Sequence, residues 1–302
     1  MFTRVATFAL SDQMVTGALR TEATMANLQA QEASGLKSQF LADYGADTQQ
    51  IVNLQVSVTR SQSFVDASTL ADNKVQVMYS AVGTMTDLIT TLRTQLSAAS
   101  TGSSTTTASA ISSAQQMLQQ MASLMNSQYN GEFVFGGART ATAPADLTTF
   151  ATGAGSLTTP DTSYYQGDGE IASVRVAADQ TVSYGVTADN PAFEQIMRVL
   201  KFVANSTTLT STDITSALDL ASNALDATAT VQAKLSNSAA QMESAKSLQT
   251  QYQNFAQALG GDLTGVDVAA VTAQLATYQS QLTASFSAIS KIQGMNLATF
   301  LR

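Results

Sequence analysis

The sequence predicts a mainly α-helical protein: an elongated antiparallel helical bundle built from both chain ends, with a small β-rich insertion. Three observations predict it. Apolar residues recur at alternating steps of four and three along two long stretches, one in each half of the chain, which keeps one stripe on one helix face. Proline, paired glycines and period-two valines gather between them, in residues 140–188. Both ends carry further helical stripes, so the layout reads terminal helix, long helix, insertion, long helix, terminal helix. Antiparallel pairing of such helices buries the stripes without a central sheet.

The first helix is marked by Met14, Ala18, Thr21, Met25 and Leu28, while Val5, Phe8, Val15 and Leu19 widen its apolar surface. Gly35, Phe40, Leu41, Tyr44 and Gly45 break that period and read as an irregular connector. A long helix is expected from Thr48 or Gln49, with Ala71, Val75, Met78, Val82, Met85, Ile89, Leu92 and Leu96 facing inward. The hydroxylic run Ser100 to Ser109 joins it to a third helix carrying Ile111, Leu118, Met121, Leu124 and Met125. That helix is expected to end around Tyr129-Asn130-Gly131, followed by a short β-like piece at Phe133 to Phe135.

In the insertion, Pro144 and Pro160 punctuate a Thr-rich stretch. Val174 and Val176, then Val182, Tyr184 and Val186, give a β-hairpin turning at Ala177 to Gln180. Asp189-Asn190-Pro191 reads as a cap with proline in the first helical turn, and Phe193, Ile196, Met197, Leu200 and Val203 supply the next apolar face. After a polar break at Asn205 to Thr212, one long face is expected from Ile214 through Leu235, Met242 and Ala245 to Tyr252, Phe255 and Leu259. This helix should pair with the Ala71 to Leu96 helix. Gly260-Gly261 and Gly265 mark a joint before a final helix bearing Val271, Leu275, Tyr278, Leu282, Phe286 and Ile289. The expected segments are therefore a core helix and connector (1–45), the first half of a central helical domain (46–139), the outer insertion (140–188), the second half of the central domain (189–265) and a terminal core helix (266–302).

Composition narrows the chemistry. Among 302 residues there is no cysteine, histidine or tryptophan. That excludes disulfide scaffolds, Cys/His zinc sites, histidine relays and thiol nucleophiles. Lys+Arg of 14 against Asp+Glu of 22 gives a net charge of −8, which removes the electrostatic drive towards nucleic acid or anionic membrane. The start, Met1 to Leu10, is neither a convincing signal peptide nor an apolar span of about 20 residues, so no membrane insertion is expected.

No catalytic residue, cofactor or metal is expected, and the chain is read as no enzyme. Asp43 and Asp47, the nearest approach to a carboxylate pair, read as connector residues that cap turns rather than as acid and base. Asp168, between two glycines, lacks the ligand series of a calcium loop and reads as a turn. Met78, Met85, Met117, Met121 and Met125 read as core filling or adaptable contacts.

The outer segments offer apolar side chains over more than one seam, and burial against neighbouring copies would complete their core at about 1.5–3 kcal/mol per large side chain. Val5, Phe8, Leu19, Leu275, Tyr278, Leu282, Phe286 and Ile289 are the assembly candidates, with Tyr278 and Phe286 the preferred anchors. The alternative is an ordinary monomeric bundle whose ends pack within one subunit.

Four stretches carry a resemblance to a known family. Leu28 to Gly35, ending in Ser34-Gly35, is similar to the end of the first helix in the flagellar hook-associated protein 3 family, the hook–filament junction proteins of the flagellin superfamily. Asn130-Gly-Glu-Phe-Val-Phe-Gly-Gly137 resembles that family's segment after the third helix. Tyr165-Gln-Gly-Asp-Gly-Glu-Ile171 resembles the start of its small β domain, and Leu282 through Phe300-Leu-Arg302 its terminal core helix. Many relatives carry Asp-Asp-Pro after the first helix, whereas this chain has Phe40-Leu-Ala-Asp-Tyr-Gly-Ala-Asp47, without the proline.

The resemblance implies a secreted structural adaptor of the extracellular bacterial flagellum, at the hook–filament junction, exported without a cleaved leader. The partners it implies are an adjoining hook-associated protein, flagellin and copies of itself, with an export chaperone as a further candidate. A flagellin that builds the filament is the alternative function, and a free secreted adhesin a more distant one.

Overall fold

The structure is a computed structural model that describes residues 2–150 and 155–294, with only the backbone described for 2–11 and 293–294. Six α-helices and two short antiparallel sheets follow in order among these residues. The chain forms two compact units. The first comprises Met1–Thr59 with Gln253–Arg302, the second Arg60–Tyr252. Two long helices, α2 (Thr48–Thr101) and α5 (Ser211–Thr264), contribute residues to both.

In the first unit α1 (Phe2–Ser34) packs along α6 (Val268–Gly294). Leu28, Val271 and Leu275 form a small buried cluster, with Val266 and Tyr278 against it. Helix α1 stops because Gly35 adopts a left-handed conformation, φ 69°, that a side chain disfavours. Its N–H still closes back on the Gln31 carbonyl at 2.8 Å. The connector then winds into a 3₁₀ turn, Leu41–Asp47, kinked at Gly45. Helix α6 opens on Asp267, whose Oδ1 accepts from the N–H groups of Ala269 (2.9 Å) and Ala270 (3.2 Å), two donors with no partner inside the helix.

In the second unit every residue of the expected Ala71 to Leu96 stripe is at most 2% exposed. It faces α5, and the pairing is antiparallel: Ser61 Oγ donates to Gln249 Oε1 (2.7 Å), Asp72 meets Lys246 (3.9 Å), and Gly83 lies opposite Gln232. Helix α3 (Ser104–Met125) and α4 (Pro191–Asn205) close the other side of this core, with Met121, Met125, Phe193, Ile196 and Met197 fully buried. Phe135 reaches the same core and meets Phe193 edge to face at 5.8 Å. Asn190 caps α4 as expected, its side chain accepting from the Ala192 N–H at 3.0 Å.

The strands are β1 (Gln128–Tyr129) with β2 (Glu132–Phe133), and β3 (Ser173–Ala177) with β4 (Gln180–Ser183). In the second hairpin Val176 and Val182 are buried, and the register shifts between Arg175 and Ala177.

Four boundaries differ from expectation. Helix α3 ends at Met125, ahead of Tyr129. Asn130 (φ 51°) and Gly131 (φ 81°) form the two-residue turn of the first hairpin, because both residues tolerate the left-handed region that such a turn demands. Only Phe133 of the expected β-like piece is strand, since Val134 and Phe135 leave the ladder for the core. Most of the hydroxylic run is helical: only Gly102 and Ser103 separate α2 from α3. At Gly102 an added Cβ would lie 2.7 Å from the Ala98 carbonyl oxygen, so the close turn needs glycine. Finally, α5 runs straight through Gly260-Gly261, and the break falls at Gly265. Glycine weakens a helix by only about 1 kcal/mol and removes none of its hydrogen bonds.

The expected inner face of α5 also turns out differently at its end. Tyr252 and Phe255 are 43% and 65% exposed, whereas Gln253 and Ala256 are buried. From Ala245 the inward positions advance by two successive steps of four, through Gln249 to Gln253, which rotates the seam away from the aromatic pair.

Candidate assembly surface

The first unit leaves the apolar faces of its helices only partly covered. On α1, Val15 is 38% and Leu19 60% exposed; on α6, Phe286 is 53% exposed. The α6 stripe is closed at its start and opens along its length. Val271 and Leu275 are buried, and Tyr278, Leu282 and Ile289 are half-buried. Leu275, expected among the residues facing neighbours, is therefore occupied inside the α1–α6 seam at 8% exposure, and Tyr278 packs on the same cluster. Leu19 and Phe286 are free to meet another molecule. The side chains of Val5 and Phe8 lie outside the described residues, as does the Phe300-Leu-Arg302 terminus.

The connector sits at the edge of a cleft of about 500 Å³ lined by Asn27, Gln31, Lys37, Phe40, Tyr44 and Asp47, among others. Asp43 accepts the Ser38 hydroxyl, and Tyr44 donates to the Ser38 carbonyl at 2.6 Å while accepting the Ser38 N–H at 3.2 Å. Asp43 thus fastens a turn. Asp47 ends the 3₁₀ turn and lines the same cleft. Phe40 stands 71% exposed at the edge of the same cleft.

In the second unit, Asp168 also serves a turn. Its Oδ1 accepts from the Ala138 N–H (2.8 Å) and the Glu170 N–H (3.1 Å), and these bonds hold its carboxyl below the usual carboxylate range. Gly137 (φ 70°) lets the backbone pass there, because a Cβ would sit 2.6 Å from the Asp168 carbonyl oxygen.

The sequence reading missed a row of charges on α4. Glu194, Arg198 and Lys201 are spaced by four and three residues and are buried at 3%, 8% and 4% exposure. They hold the segment before the second hairpin. Glu194 Oε1 accepts from the Asp161 N–H (2.9 Å), Arg198 donates to the Leu157 carbonyl (3.0 Å), and Lys201 Nζ meets Asp161 Oδ2 (2.7 Å) and lies 3.9 Å from the Phe150 ring centre. Arg198 Nε and Glu194 Oε1 approach to 3.1 Å as an ion pair, although their angle does not make a hydrogen bond. The available signal was a helix apolar on nearly all sides with its charges confined to one stripe. Nearby, burial and then the Glu194, Asp189 and Asp161 carboxylates push the Tyr164 hydroxyl well above its ordinary value; it donates to the Ala188 carbonyl at 2.9 Å.

Among the described residues no group of three or more acidic side chains could hold a metal ion, and no helix is long and apolar enough to cross a membrane.

Residues 5–140 match the family model for the bacterial flagellin N-terminal helical region. Among curated proteins none matches the chain significantly. Among solved structures, a Vibrio parahaemolyticus protein described as a flagellar hook-associated protein is similar in fold, with a TM-score of 0.62 at 14% identity over 74% of this chain and 100% of that one. Bacillus cereus FlgL aligns more loosely, with a TM-score of 0.42 at 15% identity over 71% of this chain and 96% of that one. The N-terminal 5–140 stretch is thus similar to the helical region of bacterial flagellins, and the fold is similar to that of the Vibrio protein.

Proposed function

We propose that the chain is a structural adaptor subunit of the bacterial flagellum, joining hook-side proteins to the flagellin filament, and that copies of itself, flagellin and an adjoining hook-associated protein are its neighbours. One observation carries the assembly reading: α1 and α6 keep Leu19 and Phe286 more than half exposed beside a seam whose described buried core is three residues. Large apolar side chains in that state gain about 1.5–3 kcal/mol each when a neighbour covers them. The fold likeness to a protein described as hook-associated supports a structural role in the flagellum.

The flagellin match over residues 5–140 equally favours a second reading, in which the chain builds the filament itself. Polymer growth separates the two. Purified chain that forms rings or short stacks, or no polymer without neighbours, agrees with an adaptor, and indefinite filaments overturn it. Electron microscopy of intact flagella from cells carrying an internally tagged copy then reads the position: label confined to the hook end is expected, and label along the whole filament assigns the chain to the flagellins.

A further inference from the structure

The last turn of α5 leaves four backbone carbonyls, those of residues 261 to 264, without partners in the helix. One is satisfied locally, by the Gly265 N–H on the Gly261 carbonyl (2.6 Å). The other three all turn to one distant residue. Lys37 Nζ donates to the Leu263 carbonyl (2.8 Å) and, at a longer 3.5 Å, to the Asp262 carbonyl, while the Lys37 backbone N–H donates to the Thr264 carbonyl (2.8 Å). The reverse bond also exists: the Val266 N–H donates to the Gly35 carbonyl (3.0 Å), and Leu36 bridges Gly265. Gln31 Nε2 fixes the Lys37 carbonyl (2.9 Å).

We infer that Lys37 is a cap supplied in trans, a latch by which the segment after the first helix ends α5 and thereby sets the start of α6. Its ammonium sits on the negative end of the α5 dipole, and Asp267 sits on the positive end of α6 only a few residues later. The chain needs both charges because only Gly265, Val266 and Asp267 separate the two helices. Gly265 also has no room for a side chain, since a Cβ would lie 2.6 Å from the Gly261 carbonyl oxygen. When Lys37 lets go, the α5 end loses most of its partners and the Gly35–Val266 bond loses its frame. The latch thus couples the order of α6 to that of α1, although the two are far apart in sequence.

Hydrogen exchange on the full, unassembled chain tests this with K37E, K37M and K37R. In K37E and K37M, amides of residues 14–34 and 268–290 should exchange faster together, by roughly two- to fivefold, the range a helix-terminal charge supports. K37R, which keeps charge and donors, should stay near wild type, and residues 71–96 should not change in any variant. A rise confined to the last turn of α5, or none, overturns the coupling. A K37R protein as exposed as K37E overturns the role of the cation.

Discussion

Lys201 and Asp161 show how one contact can be asymmetric. The Lys201 side chain is 5% exposed and that of Asp161 29%. Replacing Asp161 with asparagine leaves the buried ammonium a neutral amide in place of its counter-ion, and should cost about 3 kcal/mol. Lys201→Met leaves a carboxylate that can turn to water, and should cost nearer 1 kcal/mol. Denaturant unfolding of both variants checks the order, and equal losses would show that burial does not set the energy. Asp161 also has a pH signature. Burial raises its pKa, but the Lys201 bond and the Ser163 bonds outweigh it and hold the carboxyl below its ordinary value. A depressed folded-state pKa adds stability that is complete above the unfolded value near pH 4 and fades as pH falls through the lower folded value. Wild-type protein should therefore lose melting temperature more steeply than D161N below about pH 4. Parallel slopes would place the acid sensitivity elsewhere.

The α2 stripe was legible because heptad spacing, an apolar partner face and burial all agree: Ile89 is fully buried where the spacing put it. Ile89→Ala should cost about 3 kcal/mol, as large-to-small changes in close-packed cores do. On α5 the apolar pattern misled, because polar residues took the seam. Gln249 turns inward to bind Ser61 and Gln253 is buried, so Tyr252 and Phe255 are left outside. Phe255→Ser, at 65% exposure, should stay within about 0.5 kcal/mol of wild type, and a larger loss would restore the predicted face. The Lys37 cap was not legible at all, since no local pattern reports a contact between residues 37 and 263. On α6, the spacing announced the seam but not where it opens. Leu275 and Phe286 belong to the same predicted stripe, yet one is buried and the other half in water. Phe286→Ala should leave the melting of the isolated protein nearly unchanged while weakening its assembly in light scattering. A matching loss of monomer stability would mean the ring packs within the subunit.

The two units differ in how much of their order they can sustain alone. The second carries a continuous core that includes Tyr164, Phe135, Phe193 and the whole α2 stripe. In the first, the buried apolar residues among those described are Ala18, Leu28, Ile51, Ala256, Val271 and Leu275. Only four larger side chains, Leu28, Ile51, Val271 and Leu275, are buried there, and three of them lie on α1 and α6, so the order of that pair depends on what covers it. Unfolding should then not be a single transition, since weakly cored segments open at lower free energy than the rest. Amides of residues 14–34 and 268–290 should exchange at least about tenfold faster than those of 71–96 in the lone protein, and slow towards them once copies or neighbours bind. Calorimetry should show a broad early transition ahead of a sharper one that K201M lowers and F286A does not. Equal protection of all three segments in a protein that never associates would mean that the chain ends complete their core internally, and Leu19 and Phe286 would then be ordinary surface residues.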